Sequence, residues 1–145
     1  LRNVSAPFAE KEGFCKYYFV DNGILDLFLV DGETALLENV VALSLFRRFG
    51  HDKDNERVFF YKDANGEVDF YIPEEKLAIQ VSYNISKSKE TFDREVNALS
   101  ALPKVKECSR RIILTNDEQK TITDKFGAIE VIPAWSFLLS GDFSK

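Results

Sequence analysis

The chain has 145 residues, 45% hydrophobic and 30% charged, with a formal net charge of −5. That suits one domain with a real core, and the acidity argues against strong non-specific nucleic-acid binding, which phosphate neutralisation drives. No apolar run approaches the ~18 residues of a membrane span and no secretory leader is visible, so a cytoplasmic chain without a span is expected.

Cys15 and Cys108 stand far apart. They read as free thiols, with a disulfide as the alternative. One His and two scattered Cys argue against a His/Cys zinc site. Methionine is absent and the chain begins at Leu1. It is therefore expected to be part of a longer protein, with 1–15 an extension from an upstream region and 16–145 a single domain.

Tyr17 to Val20 reads as a short strand, followed by the turn Asp21-Asn22-Gly23. Ile24, Leu27 and Phe28 fit one face of a short helix. From Thr34 to Phe49 the apolar positions Leu37, Val40, Val41 and Leu45 keep helical spacing. Thr34 is expected to cap that helix, Arg47 and Arg48 to favour its last turn, and Gly50 to close it. Val58 to Lys62 and Glu67 to Ile72 read as a hairpin about Asp63-Ala64-Asn65-Gly66. After Pro73-Glu74-Glu75-Lys76, Leu77 to Tyr83 makes a third strand.

Ser86 or Ser88 can cap a second helix, stopped by Pro103. Arg111 to Thr115 is a fourth strand and Ala128 to Ile132 a fifth, joined by a polar connection with a helical turn expected near Glu118 to Phe126. Trp135 to Leu139 reads as a terminal helical turn with Trp135 in the core. The order predicts an α/β fold, a mixed sheet flanked by helices. Local basic groups remain at Arg47 with Arg48, Lys87 with Lys89, and Lys104, Lys106, Arg110 and Arg111.

Strand parity places Val68, Phe70 and Ile72 on one side and Glu67, Asp69 and Tyr71 on the other. It likewise separates Leu77, Ile79, Val81 and Tyr83 from Ala78, Gln80 and Ser82. Asp69, Gln80 and Ser82 can thus share a polar face, with Glu38 laid against it. The plain alternatives are that Glu38 only favours a helix N-terminus and that Asp69, buried, pairs with Arg94 or a backbone amide. Arg94-Glu95 reads as a solvated pair, His51 as an exposed loop residue and Asp21 as a turn or cap.

Several stretches taken in order carry a resemblance: Lys16-Tyr17-Tyr18-Phe19-Val20-Asp21-Asn22-Gly23, Leu37-Glu38-Asn39-Val40-Val41, Glu67-Val68-Asp69-Phe70, Ile79-Gln80-Val81-Ser82, and Thr91 with Arg94-Glu95 and Leu99. The chain resembles the restriction-endonuclease-like, or PD-(D/E)XK, superfamily. More narrowly, it is similar to the uncharacterised C-terminal domain behind the ATPase domain of many AAA-type ATPases.

The resemblance implies Glu38 as the helix acid and Asp69 as the strand acid of a Mg²⁺ or Mn²⁺ site. Gln80 stands where the second strand acid belongs and Ser82 where the Lys belongs. Gln offers only a neutral carbonyl to a hard cation, and Ser82 supplies no charge to a phosphoryl transition state. The expectation is a module with a degenerate active site, serving an upstream ATPase domain by binding DNA or a protein partner. The alternative is a metal-dependent DNA nuclease with a migrated Lys, for which Lys62, Lys87 and Lys89 are nearest in sequence. A domain that only assists ATPase assembly is a third reading.

Overall fold

The computed structural model describes residues 1–2, 4, 15–27, 32–52 and 55–140. Among these, helix α1 covers Asn22–Asp26 and α2 Glu33–Phe49. A small hairpin, β1 (His51–Asp52) and β2 (Asn55–Glu56), precedes β3 (Phe59–Asp63), β4 (Gly66–Ile72) and β5 (Leu77–Val81). Helix α3 spans Lys89–Ala101, followed by β6 (Arg110–Thr115), β7 (Lys120–Asp124), β8 (Gly127–Pro133) and α4 (Ala134–Ser140).

The main sheet has six strands in the order β3-β4-β5-β6-β8-β7. β3, β4 and β5 form an antiparallel meander. β6 then lies parallel to β5 and β8 parallel to β6. Parallel neighbours require a crossover, which α3 supplies between β5 and β6. The central strands are buried throughout Leu77–Val81 and Arg111–Thr115, as strands covered on both faces must be.

One face packs Phe70, Ile72, Leu77, Ile79 and Val81 against Val41, Ala42 and Leu45 of α2 and Ala134 and Phe137 of α4. The other packs Ala78, Ile113 and Val131 beneath Ala98 and Leu99 of α3. Fully buried side chains such as Leu45 and Leu99 each contribute about 1.5–3 kcal/mol of transfer free energy. Where α3 crosses the β3–β4 turn, Gly66 has φ 139°, and a Cβ there would lie 3.3 Å from that of Ala98. Both the backbone angle and the close approach call for glycine.

The caps at Gly50 and Ser88 form as read. The Gly50 amide donates to Phe46 O at 2.9 Å with φ 77°, and Ser88 Oγ accepts the Thr91 amide at 3.1 Å. Asp21 caps α1 by accepting the Gly23 amide at 2.6 Å. Both cysteines are free thiols. No helix among the described residues is long and apolar enough to cross a membrane.

Several expectations are corrected. Tyr17–Val20 is not a strand, because its backbone is held by a side chain: Asn39 accepts the Phe19 amide and donates to Phe19 O, both at 2.8 Å. Thr34 does not cap α2, whose N-cap is Gly32; Thr34 Oγ1 instead accepts the Tyr83 amide at 3.1 Å. The connection after β6 is not helical, since Lys120-Thr-Ile-Thr-Asp alternates and pairs antiparallel with β8. Trp135 is 62% exposed, because α4 turns Ala134 and Phe137 inward. His51 lies in β1 rather than a loop. Phe28 falls outside the described residues. Of the N-terminal stretch, Leu1 joins the core, and Phe60 N donates to Arg2 O while Val4 N donates to Phe60 O, both at 3.0 Å.

Candidate functional site

The β3–β4 register shifts between Phe59↔Tyr71 and Tyr61↔Val68. This irregularity puts Val68 in the α3-side cluster with Tyr71, while Phe70 and Ile72 face the α2 side. The simple parity that groups Val68 with Phe70 therefore fails. Backbone pairing between β4 and β5 covers Phe70–Ile72 with Leu77–Ile79. Beyond it, side chains serve as rungs. Gln80 Oε1 accepts the Asp69 amide at 3.1 Å, and Asp69 Oδ2 accepts the Val81 amide at 2.9 Å. A cleft of about 260 Å³ opens there, bordered by Glu38, Glu67, Asp69, Gln80 and Glu95.

Lys16 sits at the centre of the charged groups. Its Nζ lies 2.6 Å from Glu67 Oε1, 2.9 Å from Asp69 Oδ1 and 3.2 Å from Glu38 Oε1. The backbone presenting it is fixed by reciprocal bonds: Lys16 N donates to Leu1 O at 2.9 Å, and the Leu1 amine donates to Lys16 O at 2.8 Å. Tyr18 adds its hydroxyl to Glu38 Oε1 at 2.8 Å and packs its ring against Phe46 and Phe70. Lys62 reaches the outer oxygen of Glu67 at 3.1 Å. A second pocket of about 400 Å³, bounded by Lys16, Tyr17, Phe19, Glu38, Asn39 and Glu67, adjoins the cluster.

Burial works against the Lys16 charge, but Asp69, Glu38 and the bond to Glu67 outweigh it and hold the ammonium above its ordinary pKa. Burial first, then the Glu38 carboxylate, raises the Tyr18 phenol, which therefore stays a donor. Asp69 is pushed up to about 7 by burial and by Glu38, against the opposing pull of Lys16 and the Val81 amide. For Glu67, burial favours protonation, but Lys16 and Lys62 together lower its pKa. The cluster thus stores one secure cation among acids of unequal proton affinity.

The structure brings Glu38 and Asp69 together through Lys16, and joins Gln80 to Asp69 through the backbone amide. Gln80 also donates from Nε2 to Glu95, whose other oxygen accepts from exposed Arg94 at 2.6 Å. Arg94-Glu95 is consequently a half-buried anchor rather than a solvated pair, and Arg94 is not the partner of Asp69. Ser82 is buried, with its amide donating to Leu114 O at 3.0 Å, and it does not border the cleft. Lys87 and Lys89 stand apart in a short 3-10 turn and at the start of α3.

Sequence reasoning assigned no role to Lys16 or Glu67. The signals were present: Lys16 opens the first stretch of the resemblance, and Glu67 stands two positions before Asp69. The donor set does not fit a divalent metal as arranged. The acids converge on an ammonium, one acid position is an amide already bonded on both sides, and no group of three His, Cys, Asp or Glu among the described residues could hold a metal ion.

Residues 33–137 match the domain of unknown function DUF4143. An uncharacterized protein of Methanocaldococcus jannaschii is 37% identical over 112 residues, covering 72% of this chain and 24% of the relative. The chain thus spans about a quarter of that relative's length. No solved structure gives a significant match. The match covers more than half of the chain, and the chain belongs to the DUF4143 family.

Proposed function

We propose that this domain is a nuclease-like module with a degenerate active site, which serves an ATPase of AAA type by binding DNA or a protein rather than by cleaving a phosphodiester. One observation carries the reading: the Lys16 ammonium lies within 3.2 Å of Glu38, Glu67 and Asp69, where a nuclease of the PD-(D/E)XK type would concentrate divalent charge. Gln80 and Ser82 support it, because both are committed to the sheet and neither offers an anionic oxygen or a cation. In this reading Asp69 and Gln80 work as structure. They replace the rungs that β4 and β5 lose as they diverge, and Lys16 neutralises the acids that remain.

The test is calorimetric titration of Mg²⁺ and Mn²⁺ into the wild type and Asp69→Ala, alongside cleavage assays on DNA and RNA. Absence of saturable binding at millimolar metal, with no cleavage, is the expected outcome. Saturable binding abolished by Asp69→Ala, together with metal-dependent cleavage, would overturn it. That result would favour the second reading, an active nuclease whose migrated lysine is Lys16, with its ammonium 2.9 Å from Asp69.

A further inference from the structure

The tip of the β7–β8 hairpin and the C-terminal half of α3 enclose a cavity of about 600 Å³, bordered by Asn65, Asn97, Ser100, Lys104, Lys125 and Phe126 among others. Its walls are fixed. Asp124, at the end of β7, is gripped by buried Arg111 through two bonds of 2.6 and 2.8 Å. Ser100 of α3 donates to the same carboxylate at 2.6 Å, and the Phe126 amide donates to it at 2.8 Å. Gly127, at φ 107°, completes the turn.

The carboxylate bordering the cavity is thus consumed by Arg111 and by two further hydrogen-bonded neighbours, Ser100 and the Phe126 amide. Lys104 and Lys125 differ: among the described residues neither forms an ion pair, and Lys125 lies 5.0 Å from the centre of the Phe126 ring. Phe126 is 41% exposed. On a chain of net charge −5, two uncompensated ammoniums, a half-exposed aromatic ring and two carboxamides therefore share one concavity.

We propose that this cavity binds a nucleotide unit, with Phe126 stacking on the base and Lys104 and Lys125 meeting its phosphate. An ammonium pair attracts the anion, and an aromatic face accepts any base without reading its sequence. Asn65 and Asn97 supply carboxamide groups of the kind that meets base edges. The unit can come from a single strand or from a free nucleotide. This deepens the binding reading above, from which it takes only the premise that the domain binds nucleic acid, and it uses none of the Lys16 cluster.

The experiment is fluorescence anisotropy of a short labelled oligothymidylate at low salt. Thymidine monophosphate and inorganic phosphate serve as competitors, and Lys104→Ala/Lys125→Ala, Phe126→Ala and Lys89→Ala as variants, each checked for a native thermal transition. Wild-type binding should weaken roughly tenfold in Phe126→Ala. It should weaken further and lose salt dependence in the double variant, and hold in Lys89→Ala. Displacement by the monophosphate identifies a free nucleotide as sufficient, while displacement by oligonucleotide alone identifies a strand. Absence of binding by either, or binding indifferent to Phe126 and equally displaced by phosphate, overturns the proposal. None of these outcomes depends on metal binding at Asp69, so this proposal can fail while the degenerate-site reading stands.

Discussion

Gln80 accepts the backbone amide proton of Asp69 at 3.1 Å, and this bond explains why an amide suits the position. The same side chain must also donate to the buried Glu95 carboxylate. Only a group with both an acceptor and a donor can do so beside a fixed anion.

Replacing Gln80 with Glu therefore sets two buried carboxylates against each other. We expect Gln80→Glu to lose about 3 kcal/mol of stability at neutral pH. Part of that loss should return at acidic pH, where one carboxyl holds the shared proton. Urea denaturation at two pH values measures it, and an unchanged midpoint would refute the structural role.

Removing the cation is expected to be as costly. Lys16→Met leaves Glu38, Glu67 and Asp69 without their common partner and should cost about 3 kcal/mol at pH 8. The deficit should shrink on acidification. A deficit independent of pH would mean that packing of the lysine stem, not its charge, matters.

In the wild type, the folded pKa of Asp69, about 7, lies above its ordinary 3.8. The stabilisation this group contributes is complete below the ordinary value and fades as pH rises through 7. Lys16, also raised, keeps its contribution across this range and loses it only as pH climbs through its own elevated value. Stability should therefore decline between about pH 4 and 7, with a shallower slope in Asp69→Asn. Chemical denaturation across that range reads both slopes.

At the other edge of the sheet the sign reverses. Bonding to Arg111 holds the Asp124 carboxyl well below its usual range. Its contribution is present above the ordinary value and disappears as pH falls through the folded one. Arg111 is 2% exposed, so Asp124→Ala strands a buried guanidinium and should cost about 3–5 kcal/mol. A thermal melt at neutral pH checks the loss.

Asn39 replaces strand pairing for the segment before α1. It bonds both backbone groups of Phe19 and donates to Asn22 at 2.7 Å. Asn39→Ala should lose about 2 kcal/mol or more and speed amide exchange at Phe19, while the sheet amides keep their protection until global unfolding.

Much of the fold was legible because apolar spacing reports burial directly. The α2, α3, β3, β4, β5, β6 and β8 segments each carry their own period, and Gly50 and Ser88 act within one turn of their positions. What was not legible depended on partners distant in sequence. Tyr17–Val20 looks like a strand until Asn39 is found to occupy its backbone. Trp135 looks like core until α4 selects Ala134 and Phe137. The five residues of β7 are polar on most positions, so only their pairing with β8 shows them to be a strand. In the cluster, Glu38 and Asp69 were legible as chemistry-bearing residues. The role of Lys16 was not, because 53 positions separate it from Asp69, and the register irregularity between β3 and β4 leaves no mark in strand parity.

The family match begins at residue 33, whereas the cation of the cluster is Lys16. Three acids thus belong to the shared domain, and their counter-ion arrives on a strap outside it, anchored by Leu1 and by Asn39. A polypeptide cut to the matched span would keep the anions and lose what reconciles them. In such a polypeptide the charge balance of the cluster would be incomplete even where the hydrophobic core of the matched span is retained.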